Sequence, residues 1–261
     1  MHAHHDAALS PGQWLPWAVG LVLVGAYLVA ARRRRAWSRW RGASFGLGVA
    51  LLAWGLSAQA MAWAHADLRG HMAQHLAIGM FAPLFLVLGA PLTLLLGALP
   101  VDAARRLVRV LHGDLARVLV HPVVALVLNV GGMALLYLTP LYAMSRHDLA
   151  LHALVHYHFV AAGYLYAWAL VGPDPAPRRP SLRYRAVVLF VGAGTHALLG
   201  KVMYAGGFPH GTGASLAERE AAAQWMYYGG DLAELLLAVA LFAIWYRQSA
   251  PAAATAGARP A

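Results

Sequence analysis

Residues 71–96 read HMAQHLAIGMFAPLFLVLGAPLTLLL, and this stretch decides what kind of protein the chain is. It runs for 26 positions without a charged side chain. A helix needs only about 20 apolar residues to cross a bilayer. Yet its first turn carries two histidines. His71 and His75 are four apart, so a helix sets them on one face, one turn above the other. A second apolar run, from about Leu149 to Val171, repeats the device in Leu151-His152-Ala153-Leu154-Val155-His156-Tyr157-His158. Imidazoles inside a membrane cost free energy and mark function. The two turns therefore read as halves of one metal site at the membrane surface, built from His71, His75, His152 and His156. His158 lies about 200° round the helix from His156 and is expected to face elsewhere.

The rest of the composition agrees with a membrane protein. Of 261 residues, 61% are hydrophobic and only 11% charged, and the mean hydropathy is +0.57. This fits an all-α, polytopic bundle rather than a soluble domain. Cysteine is absent, which excludes disulfides, thiolate metal sites and cysteine nucleophiles. The net charge of +10 would suggest nucleic acid in a soluble protein, but here the arginines sit between apolar runs and set topology instead.

Seven spans are expected. They run from Trp14 to Ala31, Ala43 to Trp63, through the His71 stretch, then Pro122 to Leu138, Leu149 to Val171, Ala186 to Tyr204 and Ala222 to Tyr246. The charges of the first run follow its apolar core, so it reads as a retained helix and not a signal peptide. With the N-terminus outside and the C-terminus in the cytoplasm, the basic residues divide sharply. Six fall in the first loop, four in the third, four in the fifth and two in the tail, so 16 of 20 are inside. Only Arg69, Arg146 and Arg219 fall outside. The same topology puts 12 of 14 histidines outside or within spans. Residues 1–13 form an extracytoplasmic, histidine-rich tail. Residues 14–247 form the membrane domain, with a cytoplasmic amphipathic helix near 101–120 carrying Arg105, Arg106, Arg109 and Arg117. Residues 248–261 read as a disordered tail.

A second polar group lies deeper. His196 is in the middle of the sixth span, with Met203 on its face, and Asp231 and Glu234 follow one another along the seventh. Two readings stay open. Lys201 and His196 could lock these carboxylates in ion pairs, or the group could form a second metal or proton site. His2, His4, His5 and Met72 are candidate accessory ligands, and Met144 and Met203 are further soft donors. Pro83 and Pro91 should kink the third span and free backbone carbonyls near its middle. Asn129 with Gly131-Gly132 reads as helix–helix glue.

Four readings of function follow from the residues. Neutral imidazole and thioether donors without cysteine favour copper, held in an open and exchangeable site. A copper or proton permease would use His196, Lys201, Asp231 and Glu234 as a relay. The HxxxH spacing is shared with di-iron membrane oxidoreductases, whose HxxHH clusters are missing here. Two histidines from two spans could also ligate a b-type haem.

The segment His71-Met72-Ala73-Gln74-His75, followed by Ala82-Pro83-Leu84 and Leu88-Gly89-Ala90-Pro91, resembles the CtaG-like family of membrane assembly factors for caa-type cytochrome c oxidase. The likeness continues through His121-Pro122, Leu151–His156 and Gly172-Pro173-Asp174-Pro175. It implies a seven-helix, multi-pass protein of the bacterial plasma (inner) membrane that is not an enzyme. Such a protein would help insert copper, as Cu(I), into the oxidase. Its partners would be an oxidase subunit or another copper chaperone, the lipid bilayer and a second copy of the chain, with no nucleic acid. By motif, His71, His75, His152 and His156 would be the functional positions. The chain departs from the family pattern at Val155, where an acidic residue is expected. It departs again at Glu218-Arg219-Glu220, where an Asp-Gln pair is expected.

Overall fold

Short polar side chains between apolar runs set several helix starts in this chain, because a hydroxyl or carboxylate can take up the free N–H groups of a first turn. A computed structural model describes residues 11–34, 36–176 and 179–249, and among them it contains helices and no strand. The helices are α1 (Pro11–Arg32), α2 (Arg39–Gly55), α3 (Ala58–Ala66), α4 (Leu68–Leu88), α5 (Pro91–Ala98), α6 (Val101–Leu111) and α7 (Asp114–Leu119). There follow α8 (Pro122–Leu138), α9 (Leu141–Ser145), α10 (Leu149–Val171), α11 (Leu182–Gly206) and α12 (Leu216–Ser249). The expected tail histidines His2, His4 and His5 lie outside the described residues, as does nearly all of the C-terminal tail.

Helices α1, α4, α10, α11 and α12 are each long and apolar enough to cross a membrane. The pair α2–α3 is a sixth candidate, bent by 54°. Helix α8 is apolar but has 17 residues, a length of about 25 Å against a hydrocarbon core of about 30 Å. The fold class is therefore an all-helical bundle with five or six candidate spans.

The bend in the second expected span has a local cause. The Ser57 hydroxyl donates to the Trp54 carbonyl (2.7 Å) and accepts from the Ala60 N–H (3.3 Å), ending one helix and capping the next. Asp67 then caps α4 by accepting from the Arg69 N–H at 2.8 Å. Gly70 lets the two short arms close together, since a Cβ there would sit 2.7 Å from the Trp63 backbone. A more distant group helps as well. Glu218 Oε1, at the start of α12, accepts from the Leu68 N–H at 3.1 Å and ties the two helix starts together.

The stretch from His71 to Leu96 is not one helix. It ends at Leu88, because Ala90 adopts a left-handed conformation (φ 52°) and Pro91 opens α5. Proline disfavours the helical region for the residue before it, so the chain must turn there. The expected effect of Pro83 is present. The helix widens to π geometry over Ala77–Phe81. Proline has no N–H for the Gly79 carbonyl, and that oxygen points at α10, where a Cβ on Gly163 would lie only 2.0 Å away. A second π segment, Val127–Gly131, frees the Leu128 carbonyl, which accepts from His158 Nε2 at 3.0 Å. His158 thus faces α8 and not its neighbour His156, as its angular position requires.

Helices α4 and α10 are the most buried of the long helices and α1 the least. At the end opposite the histidine pairs, the Gly172-Pro173-Asp174-Pro175 turn holds α5. Buried Asp174 accepts from the N–H groups of Leu92 (3.2 Å) and Thr93 (2.7 Å) and from the Thr93 hydroxyl. The amphipathic region expected as one helix is two, α6 and α7, broken at His112-Gly113, and neither buries a residue.

Candidate metal centre

The expected site joins two histidine pairs at one point. The structure places both pairs at the same end of the bundle but gives them different company. His71 and His75, on α4, point into an aromatic cage. His71 Nε2 and the Tyr137 hydroxyl are 3.0 Å apart, and the His71 ring lies 4.5 Å from that of Tyr142. His75 packs edge-on against Phe159, 4.4 Å between centroids, and is only 2% exposed. Neither of its ring nitrogens has a hydrogen-bond partner.

The α10 pair has contacts of its own. The His152 and His156 rings lie 4.3 Å apart, tilted by 50°, and His152 also lies 5.3 Å from His65 of α3. These three imidazoles stand in file at the end of the bundle. His65 Nδ1 lies 2.8 Å from the Met61 carbonyl, and His156 Nδ1 lies 2.9 Å from the His152 carbonyl. A carbonyl can only accept, so both Nδ1 atoms carry the proton and both Nε2 lone pairs are free. This is how metal-binding imidazoles are oriented, through a hydrogen bond from the other ring nitrogen. His152 Nε2 is buried and has no partner. His152 lines two adjoining grooves of about 420 Å³ each, and Met61 lines both as well.

His65 and Met61 escaped the sequence reading. Both lie on the short arm α3, and their four-residue spacing puts them on one face. Arg146, which lines the groove shared by Met61, His65 and His152, steadies this arm by donating to the His65 carbonyl (2.9 Å) and to the Thr212 carbonyl (3.1 Å). Asp67 ends the arm, and the Arg69 guanidinium beside it holds its carboxyl below the usual range. Tyr142 sits between Arg146 and the α4 pair, and burial pushes its phenol up to about 12. Among the described residues, no three histidine, aspartate or glutamate side chains already close around a metal position. The arrangement is a pair with a neighbour, open on one side.

The deep group is rearranged. The ion-pair lock does not form. Asp231 and Lys201 are exposed, and the Lys201 ammonium lies over the Tyr227 ring at 5.5 Å. The reason is angular, because the helix faces that carry them look out of the bundle. His196 and Glu234 do point inward and are buried. Both His196 nitrogens, Glu234 Oε2 and the Tyr166 hydroxyl lack partners. Gly230 makes room for the His196 ring, since a Cβ there would come within 1.9 Å of it. Gly192 does the same for the Tyr166 hydroxyl at 2.1 Å. Met203 is buried but belongs with the α4 histidines and not with this group, while Met144 is exposed.

Residues 21–248 match the model of the cytochrome c oxidase caa3 assembly factor family, Caa3_CtaG. The chain belongs to this family. The Caa3_CtaG region thus takes in every described histidine considered above. Three mycobacterial proteins are similar to it. The uncharacterized protein Mb0105 of Mycobacterium bovis is 36% identical over 195 residues, covering 70% of this chain and 29% of its own length. The uncharacterized protein MT0111 of Mycobacterium tuberculosis gives the same values. The uncharacterized protein ML1998 of Mycobacterium leprae is 30% identical over 254 residues, 88% of this chain and 38% of its own. The Caa3_CtaG chain therefore spans well under half the length of these relatives. No solved structure matches it.

Proposed function

We propose that this Caa3_CtaG protein is a non-enzymatic copper carrier for haem-copper oxidase assembly in the bacterial plasma membrane. It would accept copper at the His65–His152–His156 groove and release it to an oxidase subunit or another chaperone. The observation that carries this reading is the orientation of the imidazoles. His65 and His156 each commit Nδ1 to a backbone carbonyl and keep Nε2 free, beside unpartnered His152. Neutral imidazole suits copper, and the Met61 thioether on the same wall adds a soft donor that favours Cu(I). An open, incomplete ligand set suits exchange better than a closed one. The distribution of arginine supports seven spans with this groove on the outer side, α8 serving as the short fourth.

A permease reading needs a relay through His196, Lys201, Asp231 and Glu234. Two of its four members are exposed, which leaves an interrupted path.

The test is copper content by elemental analysis of purified protein after loading and desalting, with wild type beside His65→Ala/His152→Ala/His156→Ala. Stoichiometric copper in the wild type that falls in the triple variant is expected. A wild type that retains none, or a triple variant that retains all of it, would overturn the reading.

A further inference from the structure

Behind the groove lies a second set of donors that the histidine pattern alone does not reveal. Met72, Met133, Met203 and Met226 come from α4, α8, α11 and α12, four different helices. Each is at most 1% exposed, and all four belong to one packed cluster. The chain has eight methionines in all, so half of them converge here. The same cluster contains Tyr137 and Phe159, the two rings that flank His75. Met72 is three residues before His75 and shares its helix face. All four methionines lie in the halves of their helices nearer the histidine end.

Methionine fills cores well, and four thioethers could be packing alone. The unpartnered imidazole argues for more. A buried polar atom without a hydrogen bond calls for an explanation, such as an ion or a water. A water at His75 would need two to four polar partners. The Phe159 and Tyr137 rings pack against the His75 ring, and a Cβ on Gly79 would lie 3.5 Å from it. The Tyr137 hydroxyl is already paired with His71. Thioether and neutral imidazole together are the donor set that selects a soft, monovalent cation.

We propose a second, membrane-embedded Cu(I) site in which His75 and thioethers of this four-methionine cluster are the ligands. It deepens the copper reading and rests on it. Copper leaving the surface groove as Cu(I) would find softer donors one layer further in. No electron transfer is required, because the metal is Cu(I) in both places.

The test uses the full chain in detergent with Cu(I) supplied anaerobically, and it reads the copper coordination shell by X-ray absorption. The surface groove is silenced first by His65→Ala/His152→Ala/His156→Ala with Met61→Leu. Retained copper with a sulfur shell is expected. Adding Met72→Leu, Met133→Leu, Met203→Leu and Met226→Leu should reduce retained copper to background. These swaps nearly conserve volume. Should that variant fail to fold, selenomethionine labelling of the groove-silenced protein serves without further mutation, and a copper–selenium distance is expected. Copper with a nitrogen-only shell would overturn the buried site, make the cluster packing only and leave the surface reading standing. Copper in the wild type but none in the groove-silenced protein would overturn it in the same way. No copper in any protein, wild type included, would overturn both.

Discussion

Asp174→Ala should loosen one end of the bundle without touching the proposed copper sites. Asp174 is buried and lies in the turn after α10, at the far end from His152. Its two carboxylate oxygens accept three hydrogen bonds from the start of α5, two from backbone and one from the Thr93 hydroxyl. Alanine removes all three acceptors at once. Losing a helix N-cap costs about 0.5–2 kcal/mol, and each buried donor left unpaired costs about 1–3 kcal/mol. These figures describe overlapping losses and do not add. Because α5 is only half-buried, water can recover part of the loss, so a net cost of about 2–3 kcal/mol is reasonable. In a chain of this size that is a fall of roughly 5–10 °C in Tm. Asp174→Asn keeps one acceptor oxygen and turns an amide N–H toward the Leu92 N–H, so it should lose about half as much. Thr93→Val removes a single donor and should cost about 1 kcal/mol. The assay is thermal unfolding in detergent by near-ultraviolet circular dichroism, with copper content measured in parallel. The order Ala, then Asn, then Thr93→Val, at unchanged copper, is expected. An Asp174→Ala protein that melts with the wild type, or one that loses copper first, would refute the argument.

Gly163→Ala should be poorly tolerated, because the added Cβ meets the Gly79 carbonyl oxygen at 2.0 Å and its carbon at 2.9 Å, and backbone cannot swing aside. Gly194→Ala is the control, with nothing within 4 Å, and yields of folded protein after detergent extraction compare the two. Tyr142 should stay protonated until about pH 12, which the phenolate absorbance lost in Tyr142→Phe would report. The unfolded phenol ionises near 10, so the stability Tyr142 contributes is complete below pH 10 and is lost as pH rises through about 12. Ionisation of Tyr142 near pH 10 in the folded protein would contradict its burial.

What could be read from sequence was what depends on one helix at a time. The run from Leu149 to Val171 has the expected ends because both are written locally, with Asp148 accepting from the N–H groups of Ala150 (2.8 Å) and Leu151 (3.0 Å) and Gly172-Pro173 stopping the far end. The break after Leu88 was equally local, but Pro91 was read as a kink and not as the start of a new helix. The left-handed turn at Ala90 carries no glycine signal, because glycine occupies the position before it. Asp231 and Lys201 failed for a different reason. Spacing along α11 and α12 says which residues share a face, and only packing against other helices says which face is inside. The same limit separated the histidine pairs. The four-residue steps are real in both, yet the α4 pair packs against rings of α8, α9 and α10, while His152 meets His65 of α3.

That separation changes the chemistry the bundle can offer. Four imidazoles around one point would make a closed site with slow release. Splitting them yields an outer set near water and an inner set lined by thioethers and aromatic rings. Tyr137 touches both α4 histidines and also lies in the methionine cluster, so one ring links the two groups. The polar contacts of the inner set are few, which keeps hard and strongly hydrated cations out. On the copper reading proposed above, imidazole and thioether donors near one another would favour Cu(I). The sequence motif HMAQH then has a reason for its middle as well as its ends, since Met72 and Gln74 are even more buried than the histidines beside them. Gln74 donates to the Gly55 carbonyl at 2.6 Å and to the Met61 sulfur at 3.3 Å, which braces α4 against the very arm that carries His65.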